Sequence, residues 1–248
     1  MSDDTTEYDV QFHFDPVCPF AWMTSRWVAK VAAIRDYRVD WQFISLRLLN
    51  SHVDYDAHFP AEYEAGHNAG LHMLRVAAAV RERYGRDVVG DLYTAFGTSV
   101  FDVDPPEDKA AFQRELGSRD TVAATLKALD LDVSLADAVD EPTWDEVIQA
   151  ETDAALEMTG KDVGTPIVQF NPPHGKAFFG PVISRVPDDD EAVRLWDLVT
   201  ELAEFPTFAE IKRSLREPLQ LRRFGHDPDA GSSGPEQDWH QGSRRLKK

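Results

Sequence analysis

Between Tyr8 and Phe14 the chain alternates. Tyr8, Val10, Phe12 and Phe14 fall on one side and Asp9, Gln11 and His13 on the other, which is the period of a strand. Asp15-Pro16 ends this pattern, because the residue before a proline is pushed out of the helical region. From Pro19 the spacing changes to threes and fours: Phe20, Met23, Trp27, Val31 and Ile34 predict an amphipathic helix. Alternation returns from Arg38 to Leu46, with Val39, Trp41 and Phe43 opposite Asp40 and Gln42. Strand, helix, strand in this order predicts a right-handed parallel crossover.

The stretch from about Pro60 to Gly160 reads as helices joined by short turns. Ala69, Met73, Val76, Val80 and Tyr84 form one stripe that stops at Gly85. Leu92 and Phe96 mark a second helix, Pro105-Pro106 separates it from a third at Glu107 to Leu116, and Thr121 to Leu129 gives a fourth. Thr143-Trp144-Asp145-Glu146 has the pattern of a capping box opening a long helix, with Gly160 as its end. Strand signals then return at Pro166 to Phe170 and Ala177 to Phe179, around the turn Asn171 to Gly175. Asp188 to Glu191 places negative charge at the start of a helix running through Leu195, Leu198 and Leu202. Phe208 to Leu215 is expected to be a last helical segment, and the Gly/Ser/Pro-rich residues from Gly225 onward to be disordered.

The order β-α-β, helices, β-β-α is that of an α/β chain: a thioredoxin fold with an all-helical insertion between its βαβ and ββα halves. The expected division is residues 8–59 for the first half, 60–160 for the insertion, 161–217 for the second half with the final helix, and 218–248 for a disordered tail.

Composition narrows the function. A net charge of -18 argues against nonspecific nucleic-acid binding and against anionic lipid surfaces. No apolar run reaches the roughly 20 residues that span a bilayer. The start, Met1 to Glu7, lacks the basic-then-apolar order of a secretory signal, so a cytoplasmic location is expected. The chain has one cysteine, so no disulfide can form within it, and a cysteine-built zinc site is excluded.

That cysteine, Cys18, lies between a strand end and a helix start. Pro19 suits the first helical position, which makes Cys18 the N-cap. Amide hydrogen bonds and the helix dipole there are expected to lower a thiol pKa from ~8.5 towards ~3.5–7 and leave the sulfur ionised. Phe20, Trp22 and Met23 are expected to line a shallow groove around it. The alternative is a buried structural cysteine, the commonest state of a free thiol.

Phe14-Asp15-Pro16-Val17-Cys18-Pro19-Phe20-Ala21-Trp22 resembles the active-site segment of DsbA-like oxidoreductases, in which Cys-Pro-x-Cys is usual. Gly164-Thr165-Pro166 resembles the cis-proline loop of the same fold, whose backbone pairs with bound substrate like an added strand. Trp22 to Trp27, Ser45 to Asn50, Asp162 to Pro166 and Phe178 to Val182 extend the resemblance to actinobacterial mycothiol-dependent nitroreductase-like proteins of that family. It implies a cytoplasmic reductase with no permanently bound cofactor, which uses mycothiol as cosubstrate and acts on a disulfide or nitro-type substrate. One position departs: Ala21 stands where the family has its second cysteine. The expected cycle is therefore monothiol, with Cys18 attacking a mixed disulfide and an outside thiol releasing it. A thiol-binding isomerase or transferase on this fold, or a non-catalytic thiol-binding protein, are the alternatives.

Other polar residues carry less. His52, His58, His67 and His72 lack the i, i+4 spacing of a helical metal site and are expected to be exposed, with no metal bound. His13 could stabilise a thiolate if its ring faces Cys18. Asn50, Ser51 and Tyr63 could touch the sugar of a thiol cosubstrate. Trp144 and Trp196 fit core stripes. Arg244 to Lys248 reads as a solvated basic end.

Overall fold

The computed structural model describes residues 8–58, 61–160 and 162–238. The readings made for Met1 to Glu7, for the His58 side chain and for Arg244 to Lys248 lie outside the described residues. Strand β1 (Val10–Phe14), helix α1 (Pro19–Arg35) and strand β2 (Val39–Phe43) form the first unit. Short helices α2 (Leu46–Leu49) and α3 (Tyr55–His58) lead into α4 (Ala61–Tyr84), α5 (Val89–Phe101), α6 (Lys109–Leu116), α7 (Arg119–Ala128) and α8 (Asp145–Thr159). Strands β3 (Ile167–Phe170) and β4 (Ala177–Phe179) and helix α9 (Asp189–Glu204) complete the second unit. The sheet order is β2-β1-β3-β4. β1 runs parallel to β2 and antiparallel to β3, and β3 is antiparallel to β4. This is the thioredoxin topology with a helical insertion, in the DsbA-like arrangement.

Strand alternation gives the sheet two faces. Phe12 pairs with Trp41 and Phe14 with Phe43 in the register, and this apolar face receives α1 and α5. Tyr93 of α5 stacks on Phe14 at 3.9 Å between centroids, and Trp22 of α1 meets Tyr93 edge-on. Trp27 of α1 donates its indole N–H to Ala192 O at 2.9 Å and packs on Trp196 of α9. The opposite face carries Gln11, His13, Asp40 and Gln42. Asp40 is buried there and accepts from Gln11, Gln42 and Arg86 at 3.1, 2.6 and 2.7 Å, so its charge is paired. α8 covers the same sheet through Glu151, which accepts from Phe43 N and pairs with Arg81, and through Thr152 Oγ1, which accepts from Ser45 N.

Several expectations are corrected. The long helix α8 has no capping box. Pro142–Trp144 forms a 3-10 turn that feeds straight into it, with no side-chain cap. Gly160 does close it, at φ 93. Asp188 caps α9 by accepting from Glu191 N at 2.9 Å. The buried face of α9 is Ala192, Trp196 and Ala203, while Leu198 and Leu202 are exposed. Phe208 to Leu215 is not helical: β5 (Leu215–Arg216) ends this run and pairs antiparallel with β6 (Gln237–Asp238). The region assigned to a disordered tail, as far as 238, is part of the structure. Leu219 and Leu221 are each 3% exposed and sit in the main core, and Gln220 N donates to Ser184 O at 2.8 Å.

Candidate functional site

Where β1 ends, the chain turns through Asp15-Pro16-Val17 into α1. Asp15 holds this turn: its Oδ1 accepts from Val17 N at 3.0 Å, its backbone oxygen from Cys18 N at 3.0 Å, and its Oδ2 from Leu46 N at 2.8 Å. The carboxyl is wholly buried, and burial pushes its pKa up to about 7 against the pull of the two amides. α4 crosses closely above it. A Cβ at Gly70 would stand 2.5 Å from Asp15 Oδ1, so the approach needs glycine.

Cys18 is the N-cap of α1, extended at φ -81 and ψ 113, with Pro19 at the first helical position. Its Sγ accepts from Ala21 N at 3.5 Å and faces Thr165 O, also at 3.5 Å, to which the thiol donates. The Thr165–Pro166 peptide is cis. Thr165 is fixed in turn: its Oγ1 donates to His13 O at 3.0 Å. Pro166 O accepts from Gly180 N at 2.9 Å, and Thr24 Oγ1 of α1 donates to Pro181 O at 2.8 Å. The two segments therefore meet at the sulfur from opposite ends of the sequence. Around Gly164 a Cβ would meet nothing within 4 Å, so this edge of the loop is open.

The expected ionised sulfur is not what the geometry supports. Cys18 is 5% exposed, and burial pushes its thiol up to about 12. The amides of Ala21 and Phe20 pull the other way, while the Asp15 charge adds to the rise. A helix end contributes about 0.3–2 kcal/mol to a nearby charge, and removing a thiolate from water costs more than that. The resting group is a neutral thiol. The groove residues are corrected too: Ala21, Trp22 and Met23 face the core, and of the expected lining only Phe20 is half-exposed. Trp22 stacks on Phe101 and carries the Arg26 guanidinium 4.1 Å above its ring. It lies so close to α5 that a Cβ at Gly97 would overlap it.

His13 does not face the sulfur. Alternation sends its ring to the opposite sheet face, and burial lowers its pKa to about 4, so it is neutral and lends no positive charge to Cys18. Asn50 caps α2, donating to Leu46 O at 2.8 Å. Tyr63 is exposed on α4, its ring 5.8 Å from His67. His67 bonds Tyr55 Oη at 2.8 Å and Arg47 lies over Tyr55, so Tyr63 joins an aromatic cluster built by α2, α3 and α4. His67 and His72 are partly buried and hydrogen-bonded, not exposed as expected, whereas His52 is exposed. Among the described residues no group of three or more His, Cys, Asp or Glu is placed to hold a metal. Sequence reasoning treated Asp15 only as a turn former and overlooked Tyr93, a buried phenol whose pKa is raised by burial and, to a lesser degree, by the charges of Cys18 and Asp15 beside it. A carboxylate three residues before the lone cysteine was the available signal for the first. Nothing local marks the second, which α5 brings in from 75 residues away.

A lone N-cap thiol held against a loop of the ββα half, on a thioredoxin frame with a helical insertion, defines a DsbA-like thiol protein. The chain belongs to the Rv2466c-like family, described as mycothiol-dependent nitroreductase Rv2466c, whose model matches residues 17–213; this is a family of oxidoreductases. It is 31% identical over 205 residues to the uncharacterized protein Rv2286c of Mycobacterium tuberculosis (strain ATCC 25618 / H37Rv), covering 82% of this chain and 81% of that one. Among solved structures it is similar to the cytosolic disulfide reductase DsbM from Pseudomonas aeruginosa, with a TM-score of 0.45 and 13% identity over 78% of this chain and 98% of that one. A 2-hydroxychromene-2-carboxylate isomerase is similar at a TM-score of 0.40 and 16% identity, over 78% of this chain and 95% of that one. Among the described residues no helix is long and apolar enough to cross a membrane.

Proposed function

We propose that this chain is a cytoplasmic thiol-disulfide oxidoreductase that works through Cys18 alone, with mycothiol as reductant. The observation that carries this reading is the sulfur itself, capped by Ala21 N and set 3.5 Å from Thr165 O. In the first half of the cycle the Cys18 thiolate attacks one sulfur of a mixed disulfide. A Cys18–sulfur bond forms, the substrate's sulfur–sulfur bond breaks, and the departing thiolate takes up the proton Cys18 has lost. In the second half the thiolate of free mycothiol attacks the adduct. The Cys18 sulfur leaves and is reprotonated, and the product carries both outside sulfurs as a disulfide. Ala21, fully buried at the usual place of a second thiol, has no part in the release.

The raised pKa sets the cost of this chemistry. A rise from 9.0 to about 12 cuts the thiolate population about a thousandfold. A Brønsted coefficient of about 0.5 returns about thirtyfold in intrinsic nucleophilicity. The remaining deficit of about thirtyfold is small beside what holding two reactants in line can supply. Thr165 supports such positioning, because its backbone lies at the sulfur where an extended substrate segment would dock.

The test is intact-protein mass spectrometry after exposure to mycothiol disulfide, with Cys18→Ala as control. The expected result is a single mycothiol adduct on the unmodified chain, none on Cys18→Ala, and its removal by free mycothiol. An unmodified Cys18 would refute the reading. An adduct that free mycothiol cannot remove would point instead to a thiol-binding protein without turnover.

A further inference from the structure

The sulfur of Cys18 takes part in two hydrogen bonds of opposite sense. It accepts from Ala21 N and its thiol donates to Thr165 O, each at 3.5 Å. A neutral thiol satisfies both, because it is at once a weak donor and a weak acceptor. A thiolate satisfies one. It keeps the amide of Ala21, but without its proton it faces the negative end of the Thr165 carbonyl inside a buried site. The placing of this carbonyl therefore opposes the ionisation on which attack depends.

The side chain of the same residue fixes it there. Thr165 is 4% exposed, and its Oγ1 donates to His13 O at 3.0 Å. The β1–β3 register ends at the pair His13 and Ile167, so the hydroxyl adds one side-chain rung beyond the ladder. Pro166 O is held separately by Gly180 N, and Pro181 O by Thr24 Oγ1, which anchors the far side of the loop without the help of Thr165. On the near side a Cβ at Gly164 would meet nothing within 4 Å, which leaves room for the Thr165 peptide to turn. We propose that Thr165 is a positioning residue, whose hydroxyl, tied to β1, holds its carbonyl on the resting thiol as a latch. This rests on the reading that Cys18 is the reacting sulfur. A molecule docking along the loop undoes the latch by taking the carbonyl oxygen for a donor of its own. The thiol proton then passes to water, and the thiolate keeps the amide of Ala21. The sulfur is thus ionised beside the molecule it attacks, and without one it stays protonated and slow towards chance oxidants.

The experiment reads the S–H stretching band of the full chain by infrared spectroscopy, a single band because the chain has one cysteine. A donating thiol absorbs at lower frequency than a free one. The wild-type band is expected at the lower frequency. It should move up in Thr165→Val, which keeps the branched shape and loses the hydroxyl, and stay low in Thr165→Ser, which keeps the hydroxyl. The second readout is the pH profile of Cys18 alkylation by iodoacetamide. At pH 8 the rate should rise about three- to tenfold in Thr165→Val, the worth of one hydrogen bond, and hold its wild-type value in Thr165→Ser. Asp15 of the preceding turn and Tyr93 of α5 are the titratable groups that bear on the sulfur, and every variant retains both. S-methyl mycothiol, a thioether that forms no disulfide, is the docking probe, and once bound it should move the wild-type band as Thr165→Val does. A wild-type band at the free-thiol frequency overturns the proposal and needs no variant to fold. So does a band and rate that Thr165→Val leaves unchanged, or a bound thioether that leaves the band low. Any of these results beside a mycothiol adduct removes the latch and spares the redox reading. A low band that Thr165→Val releases, in a chain that forms no adduct, sustains the latch while the redox reading fails.

Discussion

Replacing Asp15 by asparagine isolates the titration of one buried carboxyl. In the folded chain its pKa is about 7, against 3.8 as an ordinary carboxylate, because burial outweighs the two amides that it accepts from. A pKa raised by folding means that the folded state holds the proton more tightly. The stability it contributes is fully present below about 3.8 and is lost as the pH rises through about 7. Between about pH 5 and about pH 8 that loss is on the order of 2 to 3 kcal/mol. The asparagine side chain carries no titrating proton, so the difference between wild type and Asp15→Asn should change by this amount over that range, to the disadvantage of the wild type. The lowered histidines His13 and His67 are present in both proteins and cancel. So does the pH-independent cost of setting an amide NH₂ where an oxygen accepted Val17 N or Leu46 N. The assay is urea unfolding at several pH values, read as free energy from midpoint and slope. Two stability curves that run parallel from about pH 5 to about pH 8 would refute a buried carboxyl titrating near neutrality.

Other outcomes follow from the same geometry. Cys18 alkylation by iodoacetamide should rise with pH without levelling below about pH 9, because burial raises the thiol; a midpoint near 7 would show that the helix end prevails. Gly97→Ala places a methyl group inside the Trp22 ring and should destabilise by about 1–3 kcal/mol, measured by denaturant midpoint. Leu221→Ala should cost about 2–5 kcal/mol by the same method, since the residue is 3% exposed in the core; a loss under about 0.5 kcal/mol would return it to a loose tail.

The first βαβ unit is legible because its apolar residues keep strict periods, and Cys18-Pro19 reads as a cap because capping is a local affair. The insertion is legible as helices, with its short 3-10 and four-residue pieces below the length at which a period declares itself. α9 shows where periodicity misleads. Leu195, Leu198 and Leu202 make a good stripe in sequence, yet the sheet takes Trp196 with the small Ala192 and Ala203, whose size allows close approach. The segment from Leu215 to Asp238 escapes notice because two leucines anchor it among Gly, Ser and Pro, and composition averages them away. The state of the sulfur is hidden for a different reason. The hydrogen bond that favours its charge lies within four residues, but the burial that opposes it comes from the folded surroundings, the Thr165 segment included.

The family model matches residues 17–213, and Leu219 and Leu221, which sit in the main core, lie outside the matched stretch. The folded unit therefore runs past the matched stretch, and a chain cut at residue 213 would leave two apolar gaps in that core.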